Sequence, residues 1–178
     1  AAARHGLLYP PDPGSMRIST IGGNVAENSG GLRGLKYGVT RDYVMSLEVV
    51  LPDGSVARFG SACVKDVAGY SMKDLFIGSE GTLGIITEVT VQVHRTPAKR
   101  DVYAYFFPNW KAGIAAMQEI AESDATPSIT RISDSRETGF SLATSKDRKG
   151  FDKFRAGTVL PGLMKSKGWN LDDICLSF

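Results

Sequence analysis

Between Ile85 and Val93 the chain runs Ile-Ile-Thr-Glu-Val-Thr-Val-Gln-Val, an alternation of β-branched and polar residues that predicts a strand. Leu47 to Leu51 is a short apolar run, Pro52-Asp53-Gly54 is a turn signal, and Ser55 to Phe59 alternates again. Together they predict a β-hairpin with Leu47, Val49 and Leu51 on one face. Between hairpin and strand the period changes: Met72, Leu75 and Phe76 recur at three and four residues, as in a short helix over 70–77 that stops at Gly78. Tyr9 to Gly38 is rich in proline and glycine and poor in apolar residues, which predicts a mostly irregular stretch held by what it wraps.

Arg95-Thr96-Pro97-Ala98-Lys99-Arg100 is a polar, proline-bearing link, and it divides the chain into 1–97 and 98–178. After it, Val102 to Phe107 reads as a strand. Asn109 can cap a helix striped by Trp110, Ile114, Met117 and Ala121, and Ser128 to Ile132 reads as a returning strand. Strand, helix and returning strand make half of a ferredoxin-like α+β sandwich. Ser135 to Thr144 and Phe151 to Lys167 read as helices, the second broken at Gly157, Pro161 and Gly162, and a closing strand begins near Ile174.

Composition narrows the chemistry. At 178 residues and 42% hydrophobic content the chain is globular, with material for one ordinary domain or parts of two. The formal charge of +2 comes from interspersed signs, so no basic face for nucleic acid is expected, while a small anionic ligand fits. Cys63 and Cys175 stand alone and His5 and His94 form no cluster, which argues against a disulfide framework and a metal site and for a reducing, cytoplasmic setting. No run approaches a membrane span, and peripheral membrane association is compatible with the sequence. Both termini read like the middle of a longer polypeptide.

Two glycine-dense stretches carry the candidate chemistry: Ser19-Thr20-Ile21-Gly22-Gly23-Asn24-Val25-Ala26-Glu27-Asn28-Ser29-Gly30-Gly31, and Gly78-Ser79-Glu80-Gly81-Thr82-Leu83-Gly84. Such stretches bring backbone N–H groups against a flat, polyanionic ligand with no side chain in the way. The second lacks the Gly-Lys-Ser/Thr of a triphosphate loop, and Ile77 stands where a hydrolase elbow needs glycine. Its glycines lead into a strand, unlike a dinucleotide fingerprint. Either stretch by itself also fits a tight turn, which stays open at this point.

Five motifs in order resemble a known family. Tyr9-Pro10-Pro11-Asp12-Pro13, Thr20 to Asn28, Lys36-Tyr37-Gly38-Val39-Thr40-Arg41-Asp42, Val49 to Gly54 and Gly78 to Glu88 are similar to the second half of the FAD-binding domain of FAD-linked oxidases. These are the PCMH-type, or vanillyl-alcohol-oxidase-type, flavoproteins that include the glycolate oxidase D subunit and D-lactate dehydrogenases. The resemblance implies an α+β fold: the second half of the FAD domain, then the start of a ferredoxin-like substrate domain. It implies that Pro13, Ser15, Ser19, Thr20, Gly22, Gly23, Ala26, Asn28 and Ser29 lie along FAD. Gly78, Ser79, Glu80, Gly81, Thr82, Gly84, Ile85 and Ile86 would close over it. Glu80 should then be buried and either pair locally or accept backbone N–H bonds, with a structural cap as the alternative. Arg41-Asp42 reads as an ion pair anchoring the loop, or less simply as ligand groups.

Phe107-Pro108-Asn109-Trp110 and Pro127 to Asp134 resemble the start of the superfamily's substrate domain, most closely in alkyldihydroxyacetonephosphate synthase. There the residue matching Arg131 lies near flavin and substrate and is needed for activity; a surface arginine at a strand end, with Asp134 as a helix cap, is the alternative. The implied function is oxidation of a 2-hydroxy acid such as D-lactate or glycolate by hydride transfer to FAD. Its partners would be a small anionic substrate, an electron acceptor and, optionally, further copies of the chain. The alternatives are a synthase-like flavoenzyme without net redox and a non-catalytic flavin-binding module. The family's other glycine loop, followed by Thr-Ser, and its histidine cluster have no match here, so the catalytic base would lie outside these residues.

Overall fold

The computed structural model describes residues 1–144 and 159–177 and divides into two compact units, Ala1–Lys99 and Arg100–Phe178. The first unit contains β1 (Leu7–Leu8), α1 (Ile21–Ala26), α2 (Gly34–Tyr37), β2 (Val44–Val50), β3 (Val56–Gly60), α3 (Lys73–Phe76), β4 (Ile85–Val91) and β5 (His94–Arg95). β2 is the middle of an antiparallel sheet ordered β3-β2-β4, and β1 pairs with β5 in a separate ribbon. The hairpin forms as the alternation predicts: Leu47 pairs with Phe59 and Val50 with Val56, and Gly54 turns the chain at φ 82°.

The inward face of this sheet is the core. Leu47 and Val49 are buried, and with Val25, Val44, Phe76 and Ile77 they form one cluster, onto which Leu51, Phe59, Ile86 and Val89 pack. The Phe59 and Phe76 rings stack at 5.0 Å, joining the hairpin to α3. The helix predicted over 70–77 is a single turn, because only Phe76 and Ile77 find the core while Met72 and Leu75 stay exposed.

The stretch predicted as irregular is partly helical. Two glycines make α1 a weak helix by propensity, so its support is tertiary. The Thr20 hydroxyl accepts the Gly23 N–H at 3.0 Å, and Val25 is fully buried in the core. Glycine at 22 also lets the helix lie on β4, since a Cβ there would stand 3.0 Å from the Ile86 carbonyl oxygen.

The second unit contains β6 (Tyr105–Phe107), α4 (Trp110–Glu122), β7 (Ile132–Ser133), α5 (Ser135–Thr144), α6 (Leu160–Ser166) and β8 (Cys175–Ser177). Its sheet is antiparallel and ordered β6-β8-β7, so the closing strand near Ile174 lies in the centre. β6 is shorter than its sequence pattern, and β7 begins only at Ile132, where the strand predicted over 128–132 was to end, because β8 offers only three residues to pair with. Asn109 caps α4 as expected, accepting the Ala112 N–H at 2.9 Å. The helix turns a different stripe inward, however: Gly113 is buried, while Trp110 and Ile114 are exposed. A Cβ at Gly113 would overlap the Ile132 side chain, so glycine sets how closely α4 approaches β7. Residues 151–158 of the last predicted helix lie outside the described residues; in α6, Pro161 occupies the first turn, where its missing N–H costs nothing.

Candidate functional site

The two glycine stretches, fifty residues apart in sequence, are bonded to each other. The Gly78 N–H donates to the Val25 carbonyl at 3.1 Å and the Glu80 N–H to the Ala26 carbonyl at 3.0 Å, so the loop after α3 is laid along the end of α1. Gly78 and Gly81 take φ of 82° and 77°, in the left-handed region that favours glycine. Glu80 takes φ 52°, and its side chain is exposed. The expectation of a buried, paired Glu80 is therefore corrected: its backbone makes the anchoring bond and its carboxylate faces solvent.

Arg41 holds this junction. Its NH2 donates to the Ile77 carbonyl at 2.8 Å and its NH1 to the Asp74 carbonyl at 3.4 Å, while its own N–H donates to Asn28 Oδ1 at 2.9 Å. It does not pair with Asp42, whose Oδ2 accepts the Val39 N–H at 2.7 Å; the carboxylate near Arg41 is Asp74, at 3.9 Å. Burial pushes the Asp74 pKa up, but the Ser71 hydroxyl, Lys73 and Arg41 together outweigh it and hold the carboxyl below its ordinary range. Neighbouring bonds complete the frame: Thr40 donates both N–H and hydroxyl to the Ser29 carbonyl, at 3.1 and 2.7 Å. The Ser29 hydroxyl faces Asn24 Oδ1 at 3.4 Å.

The arm leading into α1 is folded on itself. Met16 N–H donates to Pro13 O, and Ile18 and Ser19 N–H to Ser15 O, each at 2.9 Å. Pro13 is buried, Ser15 and Thr20 are exposed, and Ile18 is 89% exposed. The Ser19 hydroxyl oxygen is buried with no hydrogen-bond partner, a costly arrangement for a polar atom. In α1 the Gly23 and Asn24 N–H groups are satisfied by Thr20, which leaves those of Ile21 and Gly22 without a partner inside the helix. On the other side, Asp12 accepts the Arg33 N–H at 3.1 Å and pairs with the Arg33 guanidinium at 3.2 Å. A Cβ at Gly31 would overlap the Asp12 carbonyl, so glycine there closes the loop.

The structure thus gathers Gly22, Ala26, Asn28, Ser29, Gly78, Ser79, Glu80 and Ile86 around one seam between α1 and the second glycine loop. Thr82 closes that loop on itself, its hydroxyl donating to Ser79 O at 2.7 Å. Gly84 is part of the core packing: a Cβ there would stand 2.6 Å from Val49 Cγ1 and 2.7 Å from the Val50 carbonyl oxygen. Ile85 is exposed at the start of β4. The sequence patterns assign no role to Asp12, Arg33 or Thr40; Asp12 and Thr40 lie inside two of the five motifs, which was the available signal, while Arg33 lies inside none.

In the second unit Arg131 stands just before β7 and ion-pairs with Glu137 in the first turn of α5. Asp134 caps that helix, accepting the Glu137 N–H at 2.8 Å. Buried Thr138 accepts the Leu176 N–H at 3.1 Å and ties α5 to β8. Among the described residues no group of three His, Cys, Asp or Glu side chains could hold a metal, and no helix is long and apolar enough to cross a membrane.

Comparison with known proteins decides the family of the chain. A family model described as the FAD binding domain matches residues 1–60, and one described as the C-terminal domain of FAD linked oxidases matches residues 96–173. The chain belongs to the FAD-linked oxidase family. FAD is the cofactor of that family, and the mixed α/β architecture is that of PCMH-type flavoproteins. Relatives include glycolate oxidase subunit GlcD of Bacillus subtilis (strain 168), 51% identical over 75% of this chain and 28% of its own length. Another is a D-lactate dehydrogenase of Anaerostipes hadrus, 53% identical over 60% of the chain and 22% of its own length. A solved alkyldihydroxyacetonephosphate synthase superposes with a TM-score of 0.80 at 31% identity, covering 98% of this chain and 31% of that one. The chain thus spans about a quarter to a third of the length of these FAD-linked relatives. The second glycine loop lies between the two matched segments.

Proposed function

We propose that the seam between α1 and the Gly78–Gly84 loop is one side of the FAD site of an oxidoreductase acting on small 2-hydroxy acids. The observation that carries this reading is the pair of backbone bonds that make the two glycine stretches one surface. The residues suit the cofactor. The buried, partnerless Ser19 hydroxyl is an unused hydrogen-bonding group of the kind a polar ligand satisfies, and exposed Ile18 and Ile21 offer apolar surface to a flat ring. FAD supplies the hydride-accepting ring. In this reading Ser15, Ser19, Thr20, Gly22 and Gly23 hold one side of it. Gly78, Ser79, Gly81, Thr82 and Ile85 close over it, while Asn28, Ser29 and Gly84 act by fixing the frame.

Arg131 is assigned to the anionic group of the substrate, because a guanidinium is permanently charged and binds carboxylate through a planar fork. The base that removes the hydroxyl proton lies outside the described residues, and the electron acceptor is a separate partner. The identities of 51% and 53% to GlcD and to a D-lactate dehydrogenase favour a 2-hydroxy acid. A second reading rests on the wider reach of the synthase likeness: 33% identity over 98% of the chain to the alkyldihydroxyacetonephosphate synthase of Dictyostelium discoideum. Anaerobic addition of D-lactate or glycolate to the full-length, FAD-loaded protein tests the choice. Bleaching of the flavin absorbance is expected; unchanged absorbance with both acids, and with D-2-hydroxyglutarate, would reject the 2-hydroxy-acid reading.

A further inference from the structure

Arg131, the side chain assigned to the substrate, already has an anion on it. Arg131 and Glu137 are in direct contact across the turn from β7 to α5, and both side chains are a little over 40% exposed. Two further features hold Glu137 in that place. Its N–H is fixed by Asp134 Oδ1 at 2.8 Å, and the next residue, Thr138, is fully buried and bonded to β8. The backbone that carries the Glu137 side chain is therefore fixed at the start of the helix.

We infer that Glu137 is an internal counter-anion that competes with the substrate for Arg131 and sets how strongly the site prefers one negative charge over two. A guanidinium has five N–H donors, so an incoming carboxylate can share it with Glu137. Sharing places two anions about 6 Å apart at a water-exposed position, where with the full screening of bulk water each extra charge on the ligand weakens binding about threefold. A monoanion is admitted at modest cost and a dianion is penalised about tenfold. Glu137 is thus a specificity-determining residue for small monoanionic acids, acting through Arg131. The inference rests on the assignment of Arg131 to the substrate.

The test uses the full-length, FAD-loaded protein and calorimetric titration with acetate and with oxalate in low-chloride buffer. E137Q keeps the backbone bond to Asp134 and removes only the charge. It should tighten acetate about threefold and oxalate about tenfold. E137D keeps the charge and should leave the oxalate-to-acetate ratio as it is in the unaltered protein. Weaker binding of both ligands in E137Q, equal tightening of both, no change, or a ratio that rises equally in E137D would each overturn the inference. R131M separates this from the underlying assignment. If R131M binds oxalate as tightly as the unaltered protein, the reading of Arg131 fails. If R131M loses oxalate while E137Q gains nothing, only the role of Glu137 fails.

Discussion

Replacing Gly84 by alanine separates a glycine kept for a ligand from one kept for the core. The added methyl group would meet Val49 Cγ1 at 2.6 Å and the Val50 carbonyl oxygen at 2.7 Å, both inside normal contact distance. Neither neighbour can yield easily. Val49 is fully buried in the central strand, and Val50 pairs with Val56 on one side and Ile85 on the other. Relief requires β2 and β4 to part at this end, and overpacking of that kind costs about 1–3 kcal/mol. With a urea dependence of about 2 kcal/mol per molar, the unfolding midpoint followed by circular dichroism should fall by about 1 M. The loss should be the same with and without added FAD. Gly14→Ala is the control, since a Cβ there meets nothing within 4 Å; it should leave the midpoint within about 0.3 M. A Gly84→Ala midpoint equal to that of the unaltered protein, or a loss seen only when FAD is present, would refute the packing account.

Arg41→Met removes the donor from the Ile77 carbonyl and should cost about 1–3 kcal/mol, with faster proteolysis at Gly78–Gly84 than elsewhere in the first unit as the readout. Thr138→Val leaves the Leu176 N–H without its acceptor and should lower the free energy of unfolding by a similar amount, about 1–3 kcal/mol, as urea titration would show. Asp74 is held below its ordinary pKa in the fold, so its contribution is present above about pH 4 and is lost as pH falls through the folded value; Asp74→Asn should flatten that acid limb of the stability profile. Cys175 is buried, and burial together with the charges of Asp134 and Asp173 pushes its thiol pKa up, so a thiol reagent at pH 8 should label exposed Cys63 alone until the protein is unfolded, as mass spectrometry of the two peptides would show.

The elements legible in the sequence were those whose side chains announce their own environment. Leu47, Val49 and Leu51 alternate because one face of a hairpin is dry, whereas in β4 a register shift opposite Glu48 and Val49 breaks the alternation, so that Ile86 and Val89 pack on the core and Ile85 is exposed. Asn109 marks a helix start because the capping oxygen must precede the first turn. The misjudged elements take their shape from distant partners. α1 forms despite Gly22 and Gly23 because Val25 enters a core built by residues 44–77. The inward stripe of α4 centres on Gly113, which no hydrophobic pattern can display, because what matters there is the room left for Ile132.

The same division runs through the site. Sequence by itself determined the residue types: glycines in two stretches, in an order that resembles FAD-linked oxidases, and an arginine before a strand. Those features follow from local chemistry, from backbone that must approach something closely and a charge that never titrates. Only the tertiary structure decided that the two stretches share a seam through Val25 and Ala26, that Arg41 serves carbonyls at the end of α3 and not Asp42, and that Glu80 faces solvent. Only it put Glu137 on Arg131. A backbone carbonyl has the same identity in every residue, so a bond to one leaves no mark in the sequence, and its partner appears only when the chain is folded.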